Sequence, residues 1–345
     1  MSRKLFSLCY DGKLEEVRSA LKRGENVNSR GRACKATALM HAMKHTPVVK
    51  LLLEQPLLGV NSRNEDGATA LHYAVSHKNI EALELLLADR RLKCVDPVDN
   101  FGETALMMAV RMKQNAIVRV LLAQDGVDVN RKRRSSGRTI VHMAAACNNV
   151  EGLKLILADR RLNSALTTCD IKLCTPLMLA VAEGQRKEVV RLLLKHPGVE
   201  VNQRNKGGHS ALHYAAYLGR TEEARLILTG SLQKVDLNIR EINKGQTALH
   251  GAVFQHNNDI VKLLLEQPDL DVNCQDFEGN NILACALDHD NTEAEQMLKT
   301  HPRFDVSNKN DKESKVSPQS SLPFIAFCYH LKSAFQTTMC LWDLW

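Results

Sequence analysis

A four-residue string returns eight times along this chain, and no other feature constrains the fold as strongly. Successive copies begin 32, 35, 35, 36, 35, 37 and 34 residues apart. Their first residues are Thr37, Thr69, Thr104, Thr139, Thr175, Ser210, Thr247 and Asn281. A regular period of about 20 to 50 residues is typical of repeat architectures, in which each unit packs on its neighbours. The period therefore predicts a row of similar units.

Further positions repeat with the string. The residue five places after the first is alanine in all eight copies, which predicts that two helices approach too closely there for a larger side chain. These alanines are Ala42, Ala74, Ala109, Ala144, Ala180, Ala215, Ala252 and Ala286. Leu or Val two places after the first residue falls on the same helical face. An aliphatic cluster about ten residues later, such as Leu263 to Leu265, predicts a second helix.

The ends of each unit also carry signals. Thr or Ser at the first place can cap a helix, and Pro176 is tolerated directly after Thr175. A polar stretch that ends in Asn, followed by Gly, predicts a tight projecting loop before the next unit. The pattern therefore predicts that each unit consists of a helix, a turn, a second helix and a finger loop. The unit at Thr37 is two residues short, and Pro47 predicts a break in its helices.

This pattern resembles the ankyrin-repeat family, whose period is about 33 residues and whose string is Thr-Pro-Leu-His-x-Ala. The stretches TALHYA at 69–74 and SALHYA at 210–215 match that string closely. The resemblance implies an all-α solenoid of helix-turn-helix units with projecting β-hairpin finger loops. It covers residues 1–306 as about nine units, the first being an N-terminal capping helix pair without the string.

Residues 307–345 depart from the repeat pattern. A polar linker is predicted first, and an aromatic-rich C-terminal tail follows it. The tail has three open interpretations: a motif that docks on another protein, a cap over the last unit, or an artefact of an uncertain gene model.

The fourth place of the string separates two kinds of unit. Histidine occupies it at His72, His142, His213 and His250. In the family this histidine is understood to link neighbouring units through hydrogen bonds. Other units carry Met40, Met107, Met178 or Ala284. Because methionine fills the space without bonding, a weaker tie is predicted at those units.

Catalysis is not expected. The chain lacks the phosphate-loop, dinucleotide, serine-hydrolase and zinc-protease motifs. Its ten cysteines contain no Cys-x-x-Cys pair. We therefore expect no enzyme activity, cofactor, metal site or small-molecule substrate. No apolar run approaches the roughly 18 residues of a membrane span, and the N-terminus lacks a signal-like stretch. These features predict no membrane insertion and a cytoplasmic or nuclear location.

The formal charge of +7 gives a second class of function to weigh. The excess lies mainly in residues 1–35 and in the cluster Arg131 to Arg134. This is smaller than the basic stripe of a nucleic-acid binder, so nucleic acid is disfavoured. An anionic-partner or nucleic-acid binder acting through these basic loops stays open as an alternative, and residues 131–134 could also serve in nuclear import.

The resemblance implies binding of other proteins through the finger tips and the exposed side of each first helix. The predicted protein-binding residues at those positions are Phe101, Arg111, Met112, Arg138, Tyr217, Leu218, Phe254 and Phe277. Aromatic side chains are enriched at binding hot spots. The competing interpretation is that these side chains cover loops or pack on the next finger.

The predicted function is a protein-interaction scaffold or adaptor. A substrate-recognition adaptor for a ubiquitin ligase is an alternative. The ligase box of some ankyrin proteins requires three residues between Leu and Cys, but Leu322 and Cys328 have five between them.

Three loop asparagines suggest a modification. Asn130, Asn202 and Asn273 each end a run of Leu, five residues, an acid, Val and Asn. This run is similar to the pattern at which ankyrin-family asparagines are hydroxylated by an oxygen-dependent hydroxylase. The chain would then be a substrate of such an enzyme. The alternative is that each asparagine only bonds its own turn.

Overall fold

The computed structural model describes residues 5–31, 34–162 and 168–305, and these form eighteen helices in nine antiparallel pairs. We call the first helix of each pair inner and the second outer. The inner helices are α1 (Leu5–Tyr10), α3 (Ala38–Ala42), α5 (Ala70–Ser76), α7 (Ala105–Arg111), α9 (Ile140–Ala146), α11 (Pro176–Glu183), α13 (Ala211–Tyr217), α15 (Ala248–Phe254) and α17 (Ile282–Asp288). The outer helices are α2 (Leu14–Lys22), α4 (Thr46–Leu53), α6 (Ile80–Ala88), α8 (Asn115–Leu122), α10 (Val150–Leu157), α12 (Lys187–Leu194), α14 (Thr221–Gly230), α16 (Asn258–Leu265) and α18 (Thr292–Lys299).

Each helix packs on its counterpart in the next pair, inner on inner and outer on outer. The eight repeated alanines are all buried on the inner helices. Their small side chains let neighbouring inner helices approach closely, as the sequence predicts. The all-α solenoid is therefore confirmed.

The first residue of each string caps its inner helix. The Thr104 hydroxyl accepts a hydrogen bond from the Met107 amide at 3.2 Å. In the histidine units the ring takes part as well. The Thr69 amide donates to Nδ1 of His72 at 3.2 Å, which leaves the ring proton on Nε2. Nε2 then donates to the Glu103 carbonyl of the next unit at 3.1 Å. The histidine thus ties two units together.

Methionine at this place does more than the sequence predicts. The Sδ atoms of Met40 and Met178 accept hydrogen bonds from the amides of Thr37 and Thr175 at 3.4 and 3.5 Å. The prediction that methionine cannot bond was therefore wrong for the capping half of the interaction. A thioether has no proton to donate. The bond to the next unit is thus absent, which agrees with a weaker tie.

Pro47 lies in the first turn of α4. The amide that proline lacks would have no partner there, so proline begins the outer helix without interrupting it. The predicted break at Pro47 was wrong in that sense. The two missing residues instead shorten α3, which has five residues.

Three of the described finger loops are closed by a single antiparallel bridge, such as that between Val98 and Thr104. Neighbouring tips are also joined. The amide of Asn100 donates to the Asp66 carbonyl at 2.8 Å, and later fingers repeat this bond. The predicted tail at 307–345 lies outside the described residues. No helix in the described part of the chain is long and apolar enough to span a membrane.

Candidate protein-binding surface

Three aromatic side chains form a column on the inner helices near the C-terminal end of the described chain. Tyr217 and Phe254 end α13 and α15, and they occupy the same place in consecutive units. Their ring centroids lie 6.1 Å apart with an interplanar angle of 18°. The ring of His289 follows, 4.3 Å from Phe254. We call Tyr217, Phe254 and His289 the aromatic column.

The column rests on a fixed backbone. The Tyr217 ring lies over Gly251 of α15, with 3.8 Å between its Cδ2 and the place of a Cβ on that glycine. The Asn257 amide donates to the carbonyls of Ala216 and Tyr217 at 2.7 and 3.2 Å. The rings are half-buried, so part of each remains open to solvent. Such flat, held apolar faces suit contact with aliphatic or aromatic side chains.

The predicted binding arginines are engaged within the fold. Nε of Arg111 lies 2.9 Å from the buried Glu103 carboxylate, and Nε of Arg138 lies 3.5 Å from the buried Asp170 carboxylate. A buried charge requires a partner. These two arginines therefore compensate internal acids, which the sequence spacing of 8 and 32 residues does not reveal.

The remaining predicted side chains divide between two places. Met112 and Leu218 are half-buried in the turns that follow α7 and α13. Phe101 and Phe277 lie at finger tips and are 46% and 60% exposed. The structure thus brings Tyr217 and Phe254 together but leaves the two phenylalanines on different, distant fingers.

Two of the four residues in the basic cluster, Arg131 to Arg134, form ion pairs within the fold. Nε of Arg131 lies 3.0 Å from the buried Asp96 carboxylate. Arg133 lies 3.9 Å from Glu103 and is mostly buried. Within the described ranges, only Lys132 and Arg134 of this cluster have no carboxylate at ion-pair distance. The charge available to a partner is therefore about half of what the sequence suggests.

The candidate hydroxylation asparagines bridge fingers. Nδ2 of Asn202 donates to the Lys234 carbonyl at 2.8 Å, and its Oδ1 accepts from the Asp236 amide at 2.8 Å. Asn273 bonds Arg303 and Asp305 in the same way, and Nδ2 of Asn130 bonds the Arg161 carbonyl at 2.7 Å. These side chains therefore bond the following finger as well as belonging to a turn.

Hydroxylation itself stays a prediction. Peptides that carry Asn130, Asn202 or Asn273 should gain the mass of one oxygen after incubation with an oxygen-dependent asparagine hydroxylase. Asn238 is a control within the chain, because its side chain makes the same bonds but lacks the Leu and Val of the run. Mass spectrometry that finds all three peptides unmodified would contradict the prediction.

The sequence did not predict a second set of arginines, which bond carbonyls at the end of the preceding outer helix. The Arg161 guanidinium donates to the carbonyls of Leu122 and Gln124 at 2.5 and 2.8 Å, at the C-terminus of α8. Arg91 bonds Leu53 and Gln55 after α4 in the same way, and Arg303 bonds Leu265 and Gln267 after α16. Cations stabilise helix C-termini. The signal was the string ADRRL, which occurs at 88–92 and 158–162.

Comparison with known proteins agrees with this architecture. The sequence model of a family described as "Ankyrin repeats (3 copies)" matches residues 5–97, 90–168, 161–240 and 230–310. Together these overlapping matches cover most of the chain.

Similar proteins include Inversin of Homo sapiens, which is 31% identical over 249 residues, or 70% of this chain and 22% of that protein. Protein glp-1 of Caenorhabditis elegans is 34% identical over 190 residues, or 52% of this chain and 14% of that protein. E3 ubiquitin-protein ligase KEG of Arabidopsis thaliana is 29% identical over 294 residues, or 81% of this chain and 17% of that protein.

This chain spans about a fifth of the length of such relatives, so the likeness concerns the repeats that they share. The nine helix pairs, the capped strings and the four matched ranges agree with one another. The chain belongs to the ankyrin-repeat family.

Proposed function

We propose that this chain is a protein-binding scaffold without catalysis of its own, working in the cytoplasm or nucleus, whose partner lies against the aromatic column. The observation that carries the proposal is the stack of Tyr217 on Phe254 at the same place in consecutive units. Family membership supports the class of function, and the column supports the location.

The column is unusual for this chain. Only fifteen of its 345 residues are Phe, Trp or Tyr. Tyr214, one turn before Tyr217, is completely buried, and its hydroxyl accepts from the Asn205 amide at 2.9 Å. Tyr217 and Phe254 instead keep part of their apolar area in water. A partner that covers this area would gain about 25 cal/mol for each Å² buried.

Alanine replacement of Tyr217 and Phe254 together tests the proposal. We expect the double variant to lose proteins that the wild type recovers in affinity purification with mass spectrometry, by about tenfold, which corresponds to about 1.4 kcal/mol of binding. Loss of the stacked rings removes the flat apolar contact. A melting curve should show that the solenoid remains folded.

Two further variants make the result decisive. Leu57→Ala with Leu232→Ala removes two exposed apolar side chains from loops away from the column, and this variant should recover the partners normally. Y217K with F254K keeps methylene groups over the backbone but places charge on the face, so it should also lose them. If the wild type and both column variants recovered the same partner proteins in equal amounts, the proposal would be wrong.

The ubiquitin-ligase adaptor stays an alternative. One similar protein is named an E3 ubiquitin-protein ligase, but the segment of this chain in which a ligase box was sought lies outside the described residues. Ligase scaffold subunits that co-purify with the full chain, and are lost on deletion of 318–345, would favour it. The internal pairing of Arg131 and Arg133 argues against the anionic-partner alternative.

A further inference from the structure

One position of the finger loop lines up across four consecutive fingers. It is occupied by Ile171, Lys206, Ile242 and Phe277. The amide of each donates to a carbonyl at the tip of the preceding finger, at 3.0, 3.0, 3.0 and 2.7 Å. These bonds hold the fingertips side by side, so the four residues occupy one aligned backbone position on consecutive fingers. We call these four residues the fingertip stripe.

The apolar side chains of the stripe are exposed to solvent. Ile171, Ile242 and Phe277 are 55%, 57% and 60% exposed. Cγ1 of Ile242 lies 2.9 Å from the place of a Cβ on Gly208, and the Phe277 ring lies still closer to that of Gly245. Both glycines have positive φ, so no other residue fits easily under the stripe. Each apolar side chain thus rests on a glycine of the preceding finger and stays more than half exposed. The Arg240 guanidinium also lies over the Phe277 ring, 5.0 Å from its centroid.

Charge is segregated in the same loops. The acids turn inward, where they hold the backbone of their own turns. Oδ1 of Asp170 accepts from the amides of Lys172 and Cys174 at 2.8 and 3.0 Å, and Oδ1 of Asp276 accepts from those of Glu278 and Asn280 at 2.9 Å each. Both aspartates are buried. Their charge is therefore withdrawn from the surface of the fingers.

The lysines of these loops remain outside. Lys206 is exposed and Lys244 is half-exposed. Neither has a carboxylate at ion-pair distance in the described part of the chain. Arg134 continues the row one finger earlier, with its Cβ 2.8 Å from the place of a Cβ on Gly102. Exposed Glu278, next to Phe277, marks the other end. The stripe is therefore cationic between Arg134 and Lys244.

We propose that the fingertip stripe binds an extended peptide segment of another protein in which acidic residues alternate with apolar ones. The inference rests on the proposed function and adds a second surface with a partner of stated chemistry. Carboxylates would face Lys206 and Lys244, and apolar side chains would cover Ile171, Ile242 and Phe277. A nucleic acid fits less well, because Phe277 is the one member of the stripe that offers a ring on which a base could stack.

Fluorescence anisotropy with the full chain tests this. The probe is a labelled peptide of about 16 residues that repeats Glu-Glu-Leu-Phe. One control peptide of the same length repeats Gln-Gln-Leu-Phe and lacks the charge, and the other repeats Glu-Glu-Ser-Ser and lacks the apolar side chains. We expect the first peptide to bind at least about tenfold more tightly than either control, which is about 1.4 kcal/mol. Binding should weaken as salt is raised, because exposed charges are screened.

Matched variants locate the contact. K206E with K244E should weaken binding at least about tenfold. K195E with K262E makes the same change in net charge at exposed lysines of the outer-helix side and should change binding less than about twofold. I242S with F277S removes apolar area from exposed positions, so it should weaken binding while leaving the melting curve unchanged.

Three outcomes would overturn the inference: no binding of the first peptide up to about 1 mM, equal weakening by both lysine pairs, or tighter binding of a single-stranded oligonucleotide than of the peptide. The column variant Y217A with F254A should bind the peptide normally. Failure of the stripe and failure of the aromatic column are therefore distinguishable.

Discussion

Acidification from about pH 7 to about pH 4.5 should destabilise this solenoid by several kcal/mol. The cause is the set of four buried histidines at the fourth place of the string. Burial lowers the pKa of His142 to about 4, that of His213 to about 3 and that of His250 to about 4. It lowers the pKa of His72 as well. In the unfolded chain each histidine has a pKa of about 6.5.

The sign follows from proton binding. Between about pH 6.5 and pH 4 the unfolded chain binds protons that the folded chain excludes, so the free energy of unfolding falls as the pH falls. The stability that the neutral histidines contribute is fully present above about pH 6.5. Below their folded pKa values, these groups cause no further loss of stability. At pH 4.5 each histidine that stays neutral in the folded chain lowers the free energy of unfolding by about 2 to 3 kcal/mol relative to pH 7, since one pKa unit is worth about 1.4 kcal/mol.

Urea unfolding followed by circular dichroism at the two pH values measures the effect. The chain supplies its own matched replacement, because Met40 and Met178 already fill this place and bond the capping amide. The variant H142M with H213M should be less stable than the wild type at pH 7 by about 1 kcal/mol for each lost hydrogen bond. It should then lose less stability on acidification.

A control variant replaces His256, which is exposed, with methionine and should keep the full pH dependence. If H142M with H213M were as sensitive to acid as the wild type, the buried histidines would not be the cause.

Ala144→Leu should destabilise the chain by about 1 to 3 kcal/mol, the usual cost of overpacking a core. Ala144 is completely buried on α9, which packs between α7 and α11. Three added carbons at this place would force inner helices apart on both sides. The same expectation holds for the other repeated alanines, but a central unit has neighbours in both directions.

The measurement is again the free energy of unfolding in urea. Ala158→Leu makes the same chemical change at an exposed residue after α10, so its stability should differ from the wild type by less than about 0.5 kcal/mol. If Ala144→Leu were as stable as Ala158→Leu, the repeated alanine would not mark a close helix contact.

The sequence was sufficient for the fold because its signals are local. Thr104 caps a helix within its own turn, and Ala144 or Gly245 follows from a requirement for space at one position. Each unit carries these signals independently, so eight copies reinforce one another. Pro47 shows the limit of that reasoning, because a proline begins a helix as readily as it ends one.

The candidate surfaces were less predictable, because they depend on contacts between units. Position within the unit correctly placed Tyr217 and Phe254 on the inner side, but His289 joins them only through packing. Counting charges could not show that Glu103 takes up Arg111 and Arg133, or that Asp170 turns inward. The direction of each side chain depends on the register of the next finger, which no single unit contains.

The arginines that bond the carbonyls of a preceding outer helix do not occur at every junction. Arg91 ties α6 to α4 and Arg161 ties α10 to α8, and the two arginines are 70 residues apart. Within α3–α10, each quartet of helices, α3–α6 and α7–α10, therefore contains one such arginine together with the carbonyls that it bonds. Duplication or excision of such a quartet would preserve each arginine with its carbonyls, whereas a change by one helical pair would separate them.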